Sequence, residues 1–332
     1  MPRLAIIIPF EGNTKALEDT LISVLENRPD DSEVLVVLDQ PYEDPYALGD
    51  EVEFVAAPSR PGLIAGMNLG IERSRAPIVH LVTCGTLVAE GWADAAMRHF
   101  DDPQVVAVAP VVVDARNPER ILAAGMAYGA GGDVRAIRPN PTARRQEILA
   151  TRVLAPHLSA AFYRRSALEL AGRFAVEVPD PLAWLDMGLV FRQIGARTVL
   201  EPGCRVAAAP AEPARRTRFR TAFEAERFFW RWAGVHGWVR SLALHGLLVL
   251  GEFVCGLTRI TLASQLAGRI VGGFRGILAR RGDGQRRRLA ELAEAWTARP
   301  RPTTNRPRRG VRPARPPMTR SPAAASLRLP SR

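Results

Sequence analysis

The sequence predicts an α/β fold: a mostly parallel sheet sandwiched by helices, followed by a C-terminal helical extension. Three observations carry this. Short apolar runs at residues 4–9, 33–38, 78–82 and 105–113 lack the alternation of a half-exposed strand, as expected of strands covered on both faces. Amphipathic stretches of helical spacing lie between them, the alternation that builds a parallel sheet with helices on either side. After residue 213 the strand pattern stops and the chain turns helical and aromatic.

In order, residues 4–9 form the first strand, and residues 14–26 place Leu17, Leu21, Ile22 and Leu25 on one helix face. Strands follow at 33–38 and 52–57, then a helix at 64–73, a strand at 78–82, a helix at 91–100 and a Val-rich strand at 105–113. Residues 121–150, with Gly125, Gly129, Gly131 and Gly132 among short apolar pieces, read as a β-hairpin or a mobile loop. Next come a strand at 158–162, a helix at 166–172, a helix at 181–194 opened by Pro181 and followed by Gly195, and a closing strand at 197–200. Phe223, Phe228, Phe229, Trp230, Trp232 and Trp238 then fall close together. From 299 onward Pro and Arg dominate without periodicity, the composition of a disordered segment. The expected divisions are a sheet domain at 1–212, an aromatic-rich helical extension at 213–298 and a tail at 299–332.

Ligands of such sheets sit at the carboxyl ends of the strands, so residues 9–13, 39–44, 58–62 and 83–86 are the places to look. Composition narrows the partners. The net charge of +11 comes mostly from ten Arg and no acidic residue between 299 and 332, which leaves +1 for residues 1–298. The tail lacks the interleaved aromatics of a single-strand binder, so no specific nucleic-acid partner is expected. Lys15 is the only lysine, a bias that a GC-rich genome also produces, so Arg counts carry little functional weight. Cys84, Cys204 and Cys255 form no CxxC pair, which argues against a zinc site or a disulfide framework and for a reducing compartment. The first residues run directly into an apolar strand rather than a signal-peptide pattern. The apolar run at 242–257 is interrupted by His245 and Glu252 and is too short for a membrane span. A cytoplasmic protein is expected, at most peripheral on the inner face of the membrane.

Several segments coincide in order with one family. Ile6-Ile-Ile-Pro-Phe10, Leu21-Ile-Ser-Val-Leu25, Val34-Leu-Val-Val-Leu-Asp39, Gly66-Met-Asn-Leu-Gly-Ile71, Ser159-Ala-Ala-Phe-Tyr163, Gly172-Arg-Phe174 and Leu185-Asp-Met-Gly-Leu189 together resemble a family 2 glycosyltransferase of GT-A fold over about residues 3–210. The resemblance implies displacement of a nucleoside diphosphate from a sugar by an acceptor hydroxyl, in glycan or polysaccharide assembly. The leaving diphosphate gains negative charge and needs a cation or guanidinium groups, while the hydroxyl needs a carboxylate base.

What the resemblance implies for the nucleotide site is partly present. Asp39 stands where the family holds the base, Pro9, Phe10 and Glu11 would form the pocket floor, and Asn68 matches the Asn of the third loop and helix. Arg60 is a candidate phosphate ligand, and Thr83 and Gly85 occupy the family's Asp-x-Asp position. Against these stand a solvated Asp39 in a turn, an Asn68 making local backbone bonds and a surface Arg60. Thr83-Cys-Gly85 supplies no hard anionic oxygen, so no metal site is expected, and no cofactor beyond the nucleotide-sugar donor. The family's Glu-Asp pair aligns with Ala183-Trp184, leaving Asp186 or Asp180 as base candidates. The His often found after the closing strand is replaced by Ala207 to Ala209. These losses keep a second reading open, a noncatalytic scaffold of the same fold. Residues 223–298 fit either helical core packing, which aromatic burial favours, or docking to a membrane or partner protein.

Overall fold

The computed structural model describes residues 1–58, 62–139, 151–210, 217–235, 237–256, 262–279 and 284–299. Strand β1 (Leu4–Phe10) is buried throughout. It pairs in parallel with β2 (Ser32–Leu38) on one side and β4 (Ile78–Val82) on the other, and β3 (Glu53–Ala56) extends the sheet beyond β2. Strand β10 (Ala160–Arg164) lies antiparallel between β4 and β6 (Val105–Asp114). Strand β11 (Arg197–Ala208) runs parallel to β6, and β5 (Thr86–Val88) pairs antiparallel with β11. The order is β3-β2-β1-β4-β10-β6-β11-β5, with β7 (Asn117–Ala123) also on β6. This is the mixed, mostly parallel sheet that the apolar runs predict.

Alternation along β1 divides the core in two. Leu4, Ile6 and Ile8 meet α1 (Thr14–Asn27) and α3 (Trp92–Met97) on one face. Ala5 and Ile7 share the other with α2 (Gly62–Arg73), α4 (Arg165–Ala171) and α5 (Leu182–Gln193). His80, in the middle of β4, is buried as part of this core. Trp92 Nε1 donates to its Nε2 at 3.1 Å, so the hydrogen sits on Nδ1, 3.2 Å from the Ala161 carbonyl. Burial drives its pKa down to about 3.

The closing strand is longer than its sequence predicts. After the Pro202-Gly203 interruption, the register shifts between Glu201 and Arg205 and the ladder resumes to Ala208. In the glycine-rich stretch, β8 (Met126–Tyr128) and β9 (Val134–Ala136) form a separate antiparallel pair, while residues 140–150 lie outside the described residues.

The C-terminal helices are α6 (Arg218–Trp232), α7 (Trp238–Gly256), α8 (Leu262–Ala279) and α9 (Gly284–Thr297). Thr217 caps α6 by accepting the Arg220 N–H. Phe228, Trp232 and Trp296 join the same core as α5, so the helices pack onto the sheet unit. Helix α8 lies close against α6 because Gly268, Gly272 and Gly276 face it: a Cβ at Gly272 would stand 2.6 Å from the Phe223 carbonyl oxygen. Next to this seam is a buried polar cluster. Glu226 accepts from Trp230 at 2.9 Å and Arg269 at 2.9 Å and lies 3.0 Å from His245 Nε2, whose Nδ1 lies 2.7 Å from the Gly131 carbonyl. Arg269 continues to Glu252 at 2.7 Å.

Candidate active site

The pairing of β1 with β2 and β4 makes the sheet's switch point, and the strands' carboxyl ends open a cleft there. The ladder between β1 and β4 ends at Ile7 and Leu81. Pro9 therefore needs no N–H on that side, and its carbonyl instead accepts the Cys84 S–H at 3.2 Å. Phe10 packs its edge against Tyr42 at 5.8 Å, and Tyr42 stacks on Phe54 at 5.7 Å, giving an aromatic wall beside Asp39. Asp39 Oδ1 is buried and has no hydrogen-bond partner among the described residues.

Glu11 leads from β1 into the cleft. Partial burial raises its pKa, the nearby Asp180 and Asp39 raise it further, and the Leu63 amide at the start of α2 works against them. Asp180 joins Glu11 in lining a cavity of about 860 Å³, bounded by the start of α2, residues 176–180 and helices α6 and α8. Three guanidinium groups reach its wall from those helices: Arg220, Arg227 and Arg275. Arg227 and Arg275 lie 5.6 and 6.0 Å from the Phe223 ring, and Arg220 pairs with Glu224 at 2.8 Å. The lining thus carries three guanidinium groups together with four carboxylates, Glu11, Glu177, Asp180 and Glu224.

The segment after β4 is occupied with holding the fold. The Gly85 N–H goes to the Ala16 carbonyl and Thr20 Oγ1, at a φ of +84° that favours glycine. Thr83 Oγ1 lies 3.3 Å from Thr86 Oγ1 and 3.4 Å from the Ser159 carbonyl. Burial, then Glu11, pushes the Cys84 thiol up to about 12, so it keeps its proton at neutral pH. This donor set does not fit a hard divalent cation, which takes anionic or carbonyl oxygens. Among the described residues no three His, Cys, Asp or Glu side chains are grouped to hold a metal ion.

The structure therefore gathers Pro9, Phe10, Glu11, Asp39, Thr83 and Gly85 around the switch point and brings Asp180 to the same cleft as Glu11. Of the described candidate residues only Glu11 and Asp180 line that cavity; Pro9, Phe10, Asp39, Thr83 and Gly85 lie outside its lining, as do Asn68 and Asp186. Asn68 is clamped on the backbone of Phe174, donating at 2.8 Å and accepting at 3.0 Å, and so ties α2 to the chain 106 residues on. Asp186 is buried, accepting from Trp232 at 2.7 Å and pairing with Arg231 at 2.9 Å. Trp184, at the expected base position, is wholly buried against Phe174. Arg60 lies outside the described residues. Arg220, Arg227 and Arg275 were not among the predicted site residues, since no spacing in the sequence connects helices so far from β1.

The family described as Glycosyl transferase family 2 matches residues 5–171. The chain belongs to that family. Solved structures agree with a GT-A glycosyltransferase fold. The mannosyltransferase PcManGT from Pyrobaculum calidifontis, in complex with GDP-Man and Mn²⁺, aligns over 84% of this chain and 88% of its own at 17% identity and TM-score 0.52. S. aureus TarS 1-349 aligns over 89% and 88% at 13% identity and TM-score 0.56. GalNAc-T7 with UDP, GalNAc and Mn²⁺ aligns at 14% identity and TM-score 0.54, over 69% of this chain and 48% of that one. The chain thus spans about half the length of that last relative. No curated protein sequence matches it.

Proposed function

We propose that this family 2 protein binds a nucleotide-sugar in the cleft at the β1/β4 switch point and transfers its glycosyl group to an acceptor hydroxyl in glycan or polysaccharide assembly. The observation that carries this reading is Asp39 Oδ1, buried just past the end of β2 with no hydrogen-bond partner among the described residues. A buried acceptor of that kind is costly unless a ligand N–H meets it, and a nucleobase edge supplies one.

In this reading Asp180 takes the acceptor hydroxyl's proton. The oxygen attacks the anomeric carbon and the carbon–oxygen bond to the diphosphate breaks. Arg220, Arg227 and Arg275 meet the charge that develops on the leaving group, the role guanidinium groups fill where no metal does. Glu11, held above the ordinary carboxylate range, sits beside Asp180 as a second proton acceptor. The cleft residues fit this scheme without a metal-dependent step.

A thermal-shift screen of UDP-, GDP- and dTDP-sugars, with and without Mn²⁺, tests the proposal. At least one nucleotide should stabilise the protein, Asp39→Ala should abolish the effect, and Mn²⁺ should add nothing. Silence to every nucleotide would end the reading, and a Mn²⁺-dependent gain would end its metal-free part.

The second reading, a noncatalytic scaffold, draws on Trp184 filling the expected base position and on the oxygen-poor segment after β4. A transfer assay separates the two. If Asp180 is the base, Asp180→Asn should keep nucleotide binding and lower turnover by roughly 10²–10⁴-fold, whereas a scaffold shows no turnover to lose.

A further inference from the structure

Helix α7 is turned inside out for a helix facing water. Its polar side chains Ser241 and His245 are buried, and Glu252 pairs inward with Arg269 and Gln265. The opposite face carries Leu247, Leu250 and Val254 at helical spacing, with Leu247 64% and Leu250 56% exposed. Helix α8 adds Ile270 at 72% and Phe274 at 67% exposure. Scattered exposed apolar residues are ordinary, but a stripe on two consecutive helices, with the polar groups directed inward, marks a surface that meets something apolar.

Charge identifies the occupant. Across 237–279 Glu252 is the only acidic residue, and it is neutralised by Arg269, while Arg240 stands exposed on α7 and Arg275 on the cleft side of α8. A second copy docking through the same face would bring like-charged surfaces with no acidic partner together, whereas anionic headgroups complement Arg240 and this acid-free face. Neither helix is long and apolar enough to cross a bilayer among the described residues, so both would lie in its plane.

We propose that the outer face of α7 and α8 is a docking surface for an anionic lipid bilayer, with Leu247, Leu250 and Phe274 seated among the acyl chains. Val271 and Arg275 of α8 also line the cleft. The cleft therefore opens beside the docked face, which points to an acceptor hydroxyl carried on a lipid-linked glycan. That last step rests on the glycosyl-transfer reading, but vesicle binding does not.

The test is flotation of the full chain with vesicles of phosphatidylglycerol mixed with phosphatidylcholine and with vesicles of phosphatidylcholine alone. The protein should float with the anionic vesicles, and Leu247→Glu with Leu250→Glu should weaken that binding by about tenfold or more. Phe274→Glu alone should weaken it several-fold. Because these side chains are exposed, the variants should unfold no more readily than the parent, and an unchanged Tm shows that lost binding is not lost folding. Unchanged flotation of the double variant would assign binding to the arginines after residue 299 and overturn the proposal. Absent flotation, with or without a concentration-dependent dimer in sedimentation, would overturn it as well. Nucleotide-induced stabilisation, read separately, keeps failure of this surface distinct from failure of the cleft.

Discussion

Trp232 donates its indole N–H to Asp186 Oδ1 at 2.7 Å, and Arg231 holds the same carboxylate at 2.9 Å, so the first extension helix, α6, is tied to α5. Burial raises the Asp186 pKa despite these partners, which means that its charge is held at some cost. Asp186→Asn keeps an acceptor for the indole and is expected to cost about 1 kcal/mol. Asp186→Ala leaves the buried N–H without an acceptor and should cost about 3 kcal/mol. Urea denaturation measures both, and nucleotide stabilisation should persist in each folded variant.

His80 gives the sheet an acid-sensitive centre. Its folded pKa of about 3 lies below the ordinary 6.5, so the unfolded chain takes up a proton that the folded chain refuses. The stabilisation from neutral His80 is complete above pH 6.5 and lost as pH falls towards 3, at up to about 1.4 kcal/mol per pH unit. His80→Gln keeps an acceptor for Trp92 and should flatten that slope between pH 6.5 and 4. Paired denaturation curves at several pH values show the difference, and equal slopes would contradict the assignment.

The apolar strands could be read from sequence because burial on both faces leaves a local signature, and β1 to β4 fall where those runs lie. Asp39 and Glu11 could be singled out as candidates because they stand at strand ends, which are sequence features. Asn68 and Asp186 matched motif positions, but their hydrogen bonds reach partners 106 and 46 residues away, which no local pattern encodes. The Arg wall of the cleft was hidden for a related cause. In a chain where nearly every basic residue is Arg, three of them stand out only when α6 and α8 bring them to the cavity that Glu11 and Asp180 line.

Glu226 holds α6, α7 and α8 together. Desolvation alone would raise its pKa, yet hydrogen bonds from His245 and Arg269 more than reverse this and leave it lowered. Its stabilising charge is therefore present above the ordinary 4.5 and lost as pH falls through the lower folded value. Glu226→Ala strands His245 and Arg269 without their shared acceptor and should cost roughly 3–5 kcal/mol. Limited proteolysis should then cut within α7 or α8 before the sheet, and an uncut variant with parental stability would show that the cluster is dispensable.

Two glycines on adjacent helices separate packing from propensity. A Cβ at Gly272 would lie 2.6 Å from the Phe223 carbonyl oxygen and 2.9 Å from Glu226 Cβ, so Gly272→Ala must push α8 away from α6 and disturb the Glu226 cluster. A loss of about 2–3 kcal/mol is expected, because overpacking against backbone cannot be relieved by a rotamer change. At Gly251 on α7, by contrast, nothing lies within 4 Å of an added Cβ. Gly251→Ala should stabilise the protein by about 0.5–1 kcal/mol through helix propensity alone. Opposite signs in thermal unfolding are the expected outcome. A Gly272→Ala protein as stable as its parent would mean that α6 and α8 do not meet through this seam, and the cleft wall formed by Arg227 and Arg275 would lose its frame.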